Sequence, residues 1–169
     1  LKPNYPEAHF NLGITLKHQG DLTAAITSYK TAVQLKTNFP EAHLNLGAAL
    51  KDQGDLNAAI DSYNKALDLK PNYPEAHFNL GIALEDQGNL NAAIDSYNKA
   101  LELKPNYREA HNNLGALFGK KGKPSEAITS FKQSLKLKSD CPEAHYNIGN
   151  AFQELGDINT AIDSYNTAL

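Results

Sequence analysis

Five times in the chain a histidine stands two residues before an asparagine: PEAHFNLG at 6–13, PEAHLNLG at 40–47, PEAHFNLG again at 74–81, REAHNNLG at 108–115 and PEAHYNIG at 142–149. Both residue types can do chemistry. An imidazole binds metal ions and moves protons near neutral pH. A carboxamide carries a donor and an acceptor, so it can pair with the N–H and C=O of one peptide unit whatever the side chain beside it. The asparagines are Asn11, Asn45, Asn79, Asn113 and Asn147. If each sits on its own helix and neighbouring helices lie about 10 Å apart, one asparagine would meet about every third residue of an extended ligand advancing roughly 3.3 Å per residue. The same spacing of about 10 Å separates His9, His43, His77, His111 and His145 too widely to share a metal ion. Each histidine is better read as a half-buried packing residue with one ring nitrogen satisfied, kept neutral and therefore sensitive to acid.

Other chemistry is hard to find. The chain contains no HExxH, CxxC or GxGxxG, and no serine, histidine and acid trio outside the recurring letters. The basic run GKKGKPS at 119–125 has the flavour of a phosphate loop, but Pro124 follows Lys123, the glycine spacing is wrong and no strand precedes it, so it reads as a turn between helices. No catalytic residue, metal or cofactor is expected. Lys120, Lys121 and Lys123 give the fourth copy seven cations against three anions, whereas the fifth has four anions and no cation. Solvated surface explains this charge pattern, with steering of an acidic partner as the alternative.

Bulk properties set the class. Among 169 residues, 41% are apolar and 21% charged, an ordinary globular mix. A net charge of −3 disfavours a protein that tracks a nucleic-acid backbone. No apolar run approaches the roughly 20 residues that span a bilayer, and no leader is evident. Cys141, the single cysteine, cannot close an intrachain disulfide. The expectation is a soluble chain, cytoplasmic, without nucleic acid or membrane as partner.

The elements that must position the two columns follow from the period. The copies recur every 34 residues, at 6–39, 40–73, 74–107, 108–141 and 142–169, the last shorter, and residues 1–5 match the closing letters of a preceding copy. The expectation is a single array over 1–169, a piece of a longer one. A fixed period of this length signals a solenoid of stacked units. Within 40–73, Ala42, Leu46, Ala49 and Leu50 make one helical pattern and Leu56, Ala59, Ile60, Tyr63, Ala66, Leu67 and Leu69 another. Gly54 supplies a left-handed turn between them, Asp55 an N-cap, and Pro74 the first turn of the next helix.

These letters resemble the tetratricopeptide repeat (TPR). The shared positions are Gly at slot 8 (Gly13, Gly47, Gly81, Gly115, Gly149), Ala at slot 20 (Ala25, Ala59, Ala93, Ala127, Ala161) and an aromatic ring at slot 24 (Tyr29, Tyr63, Tyr97, Phe131, Tyr165). His stands where the family usually has Trp, and Thr37 and Ser139 replace Pro at slot 32. The resemblance implies an all-α, right-handed superhelical solenoid of antiparallel helix pairs, with a concave groove lined by the first helices as ligand site. Slots 2, 5, 6, 9, 12 and 13 would face that groove. Besides the asparagines they carry Phe10, Ile14, Leu44, Phe78, Ile82 and Tyr146, with Lys17 and Lys51 at slot 12. Asparagine columns of this kind are similar to those of the O-GlcNAc transferase TPR region. The carboxylate clamp of chaperone-binding members is missing, since slot 2 is Glu in every copy.

Inheritance by duplication, or a structural use of the amides, is the competing account of the asparagine column. Copies two and three differ at five of 34 slots, so their shared Asn says little; copy four matches copy three at only 13 and still has Asn113. The expected function is a protein-interaction module holding an extended polypeptide. The alternatives are a self-associating scaffold, a homo-oligomer joined through uncapped ends, and the substrate-binding arm of a larger enzyme such as a glycosyltransferase.

Overall fold

A computed structural model describes residues 4–169; Leu1, Lys2 and Pro3, part of the expected tail of a preceding repeat, lie outside the described residues. Among the described residues there are ten helices: α1 Pro6–His18, α2 Leu22–Leu35, α3 Pro40–Gln53, α4 Leu56–Leu69, α5 Pro74–Asp86, α6 Leu90–Leu103, α7 Arg108–Lys120, α8 Pro124–Leu137, α9 Pro142–Glu154 and α10 Ile158–Ala168.

Local chemistry sets the ends. Pro6, Pro40, Pro74, Pro124 and Pro142 open their helices, where the missing N–H leaves no intrahelical bond unmade. Asp21, Asp55 and Asp157 cap α2, α4 and α10, each carboxylate accepting from the backbone N–H three residues on, at 2.9, 3.1 and 3.2 Å. Gly54 ends α3 in the left-handed region at φ 93°, which an L side chain enters only with strain. The run at 119–125 is a turn of the same kind: α7 stops at Lys120, Gly122 has φ 64° and Pro124 begins α8.

The chain divides into two compact units at Ser96, inside α6. In the first, α1 pairs with α2 and α3 with α4, while α3 stacks on α2 and α5 on α4. In the second, α7 pairs with α8 and α9 with α10, and α9 stacks on α8. Each pair is antiparallel because only a few residues join its members.

What holds a pair together is a ring laid on a glycine. A methyl group built on Gly13 would meet Cε1 of Tyr29 at 2.6 Å; on Gly47 it would meet Cε1 of Tyr63 at 2.6 Å, on Gly115 the Phe131 ring at 2.9 Å and on Gly149 Cε1 of Tyr165 at 2.5 Å. Around these contacts Ala25, Ala59, Ala42 and Ala49 are fully buried. Between pairs, Leu46, Leu50 and Leu80 join Tyr29 and Tyr63 in one cluster. The expected packing stripe of the first helix is therefore buried in α3, but on α1 Ala8 and Leu12 are exposed because no described helix stacks against them.

Replacing Gly47 by Ala should lower stability by about 1–2 kcal/mol, since overpacking against the fully buried Tyr63 ring outweighs the helix-propensity gain of under about 1 kcal/mol. The same change at Gly119, where an added methyl meets nothing within 4 Å, should raise stability by about 0.5–1 kcal/mol. Urea unfolding of both variants checks the contrast.

Candidate functional site

In the first unit the expected site residues lie on α1, α3 and α5. Phe10, Ile14 and Leu44 are half-buried and rest on the core cluster, with Phe10 against the rings of Tyr29 (6.0 Å) and Phe39 (4.9 Å). Phe78, Ile82 and Asn79 on α5 are also half-buried, whereas Asn11 on α1 is exposed. Asn45 is partly occupied: its Nδ2 donates to the carbonyl of Glu41 on its own helix at 2.9 Å. That bond fixes the amide and leaves Oδ1 and a second hydrogen for another partner.

Lys17 and Lys51 converge on one carboxylate. Asp52 sits 3.0 Å from the Nζ of Lys17 and 3.3 Å from that of Lys51, the lysine side chains being 27% and 28% exposed. Partial burial works to raise the pKa of Asp52, but hydrogen bonds and charge from the two ammonium groups hold it below the usual carboxylate range. The Tyr63 hydroxyl is buried without a hydrogen-bond partner; burial, then the nearby Asp52 charge, push its pKa up, so it stays protonated.

The second unit carries Asn113 on α7 and Asn147 and Tyr146 on α9. Asn113 lies at a long 3.5 Å from the Tyr97 hydroxyl. The hydroxyl of Tyr165 is 2.8 Å from the side-chain oxygens of both Asn150 and Gln153, so this ring edge emerges among first-helix residues. Tyr146 is 56% exposed and borders a depression of about 900 Å³ together with Asn147, Tyr165 and Leu169. A second cavity of about 300 Å³ opens between α7 and α9 over Phe131 of α8.

Two arrangements are not evident from the letters. Glu at slot 2 is tied into a clip: Lys36 reaches Glu7 at 2.8 Å and lies 4.6 Å over the Phe39 ring, and Lys70 reaches Glu41 at 3.8 Å and lies 4.1 Å over Tyr73. The signal was the lysine at slot 31 in four copies, Lys36, Lys70, Lys104 and Lys138. The histidines, expected to pack first helix on second, also secure the connector. Nε2 of His77 lies 3.0 Å from the carbonyl of Pro71, and Nε2 of His111 lies 2.9 Å from that of Pro105. Among the described residues no group of three His, Cys, Asp or Glu is placed to hold a metal ion. No described helix is long and apolar enough to cross a membrane.

A family model described as TPR repeat matches residues 15–54, 49–88, 85–122 and 120–156. The chain belongs to the TPR family. This TPR array is similar to solved structures over nearly its whole length. One is a MamA protein, 29% identical, covering 97% of this chain and 90% of that one with a TM-score of 0.91. Another is PilF of Pseudomonas aeruginosa, 21% identical, with coverage of 96% and 74% and a TM-score of 0.85. A third is YrrB, described as a TPR protein with an unusual peptide-binding site, 21% identical, with coverage of 99% and 86% and a TM-score of 0.84. No curated protein matches the TPR chain. The all-α fold of consecutive TPR helix pairs is thereby shown, and TPR membership supports a protein-interaction module.

Burial, and then the Lys65 charge on α4, lower the pKa of His43, so the folded TPR array favours the neutral ring. Above the unfolded value of about 6.5 both states are neutral there; as pH falls below it the unfolded chain takes the proton first and stability drops. The urea midpoint should decline from pH 7 to pH 5, and His43→Gln should make that decline shallower.

Proposed function

We propose that the first helices of each unit bind an extended polypeptide, the asparagines holding the ligand backbone and the slots around them reading side chains. The observation that carries this reading is the Asn45 amide. Its own-helix bond at 2.9 Å pre-sets the group while leaving a donor and an acceptor without a use inside the helix. A pre-set amide loses little freedom when it pairs with a ligand peptide unit. The half-buried Phe10, Ile14, Leu44, Phe78 and Ile82 add apolar surface, and Asn11, Asn79, Asn113 and Asn147 repeat the amide on α1, α5, α7 and α9. The description of YrrB as a peptide-binding TPR protein agrees with the class of ligand. On this reading the chain is a receptor and holds no catalytic machinery of its own.

A second reading, self-association of the array, draws on the depression of about 900 Å³ on α9 and α10 and on Leu12 of α1, 49% exposed. Mass in solution separates the two: a strict monomer at all concentrations ends the self-association reading.

The groove reading is tested with an unbiased peptide library on the native chain and on a variant carrying Asn45→Ala, Asn79→Ala and Asn113→Ala. At about 0.5 to 1 kcal/mol per lost hydrogen bond and two bonds for each amide, a peptide held by Asn45 and Asn79 should lose affinity on the order of a hundredfold with helical content unchanged. Unchanged binding would mean that the amides serve the fold alone.

A further inference from the structure

The cavity of about 300 Å³ between α7 and α9 has an internal counterpart that is filled. Where α1 meets α3, slot 9 is Ile14, packed on the core, and slot 12 is Lys17, whose ammonium reaches Asp52 at slot 13 of the following copy. Where α7 meets α9, the same three places hold Ala116, Gly119 and Glu154. The isoleucine and the lysine stem are gone, and the acid remains. An added methyl on Gly119 would meet nothing within 4 Å, so the space the lysine takes in the first unit is open here. Ala116, Gly119, Phe131 and Glu154 all line the cavity. Lys120 lies on the same rim but already has an interaction of its own, whereas Glu154 has no ion-pair partner among the described residues.

We propose that this cavity takes a lysine or arginine side chain of the bound polypeptide, its methylene stem over Ala116, Gly119 and the Phe131 ring and its charged head on Glu154. The ligand would supply in the second unit what Lys17 supplies in the first. Three features of the site favour a cationic occupant over a purely apolar one. The floor is an apolar slot suited to a methylene stem. The mouth carries an acid whose counterpart, Asp52, binds a lysine at 3.0 Å. Asn147 and Asn150 line the same cavity, and a carboxamide oxygen can accept from an ammonium or guanidinium group. Asn150 already receives the Tyr165 hydroxyl, which fixes its orientation. This inference rests on the groove reading, because the side chain arrives on an extended backbone.

The probes are acetylated, amidated peptides of about eight residues, long enough to cross two first helices about 10 Å apart. They are built from Ser, Thr and Val, with one guest position occupied by Lys, Arg, Gln, Leu or Glu. The native chain should bind Lys and Arg peptides about tenfold more tightly than the Gln or Leu peptides, the preference shrinking as salt is raised. Glu154→Gln should reduce that preference to less than about twofold. Gly119→Lys should do the same by restoring an internal lysine, with a melting temperature at or above the native one because a helix-interior glycine is removed. Equal binding of all guests, a preference for Leu, or a lysine preference that survives Gly119→Lys would overturn the proposal while leaving the groove reading intact. Absence of binding by any peptide would remove both.

Discussion

Four helix pairs, two in each unit, depend on how close a ring can come to a backbone. With Gly at slot 8, the rings of Tyr29, Tyr63, Phe131 and Tyr165 lie where a methyl group would stand 2.5 to 2.9 Å away. That contact sets the distance between first and second helix, and the buried alanines follow because only small residues fit at that distance. Within each unit, first and second helices keep the same spacing from pair to pair because the same glycine is repeated.

The same contact explains how the site is furnished. A tyrosine at slot 24 is long enough to push its hydroxyl past the glycine toward the first-helix face, as Tyr165 shows by reaching Asn150 and Gln153. Phe131 packs on Gly115 equally well but brings no hydroxyl. Packing is served by either ring, so the oxygen is a variable that the scaffold tolerates. Where the hydroxyl is buried without a partner, as in Tyr29 and Tyr63, it carries a desolvation penalty that the ring alone would not.

Much of the fold was legible because its determinants are local or periodic. Asp55 capping Ala58 N–H spans three residues, and the left-handed Gly54 precedes it directly. The glycine and alanine columns carry the pairing because the period repeats them. The clip of Glu7, Lys36 and Phe39 was not legible: its charged partners are 29 residues apart, and slot 2 looks like a free acid until the connector is folded against it. The bond from His77 to the Pro71 carbonyl was hidden for a related reason, since a letter does not show which way a connector's carbonyl points. The cavity over Phe131 is harder still. It comes from Ala116 and Gly119 on α7, where α1 carries Ile14 and Lys17, and neither letter alone announces it.

Slot 12 gives the first unit a property that a list of contacts does not convey. Passing from α1 to α3 to α5 the residue there is Lys17, then Lys51, then Glu85. On the proposed groove reading, a strand laid along this row would meet two lysines that share Asp52 and then an anion, so the strand and its reversal would be electrostatically different objects to the protein. Backbone amides alone would leave that choice open, because a carboxamide pairs with a peptide unit running either way. The row of charge would therefore give the proposed groove an orientation, much as a ratchet gives one to a wheel.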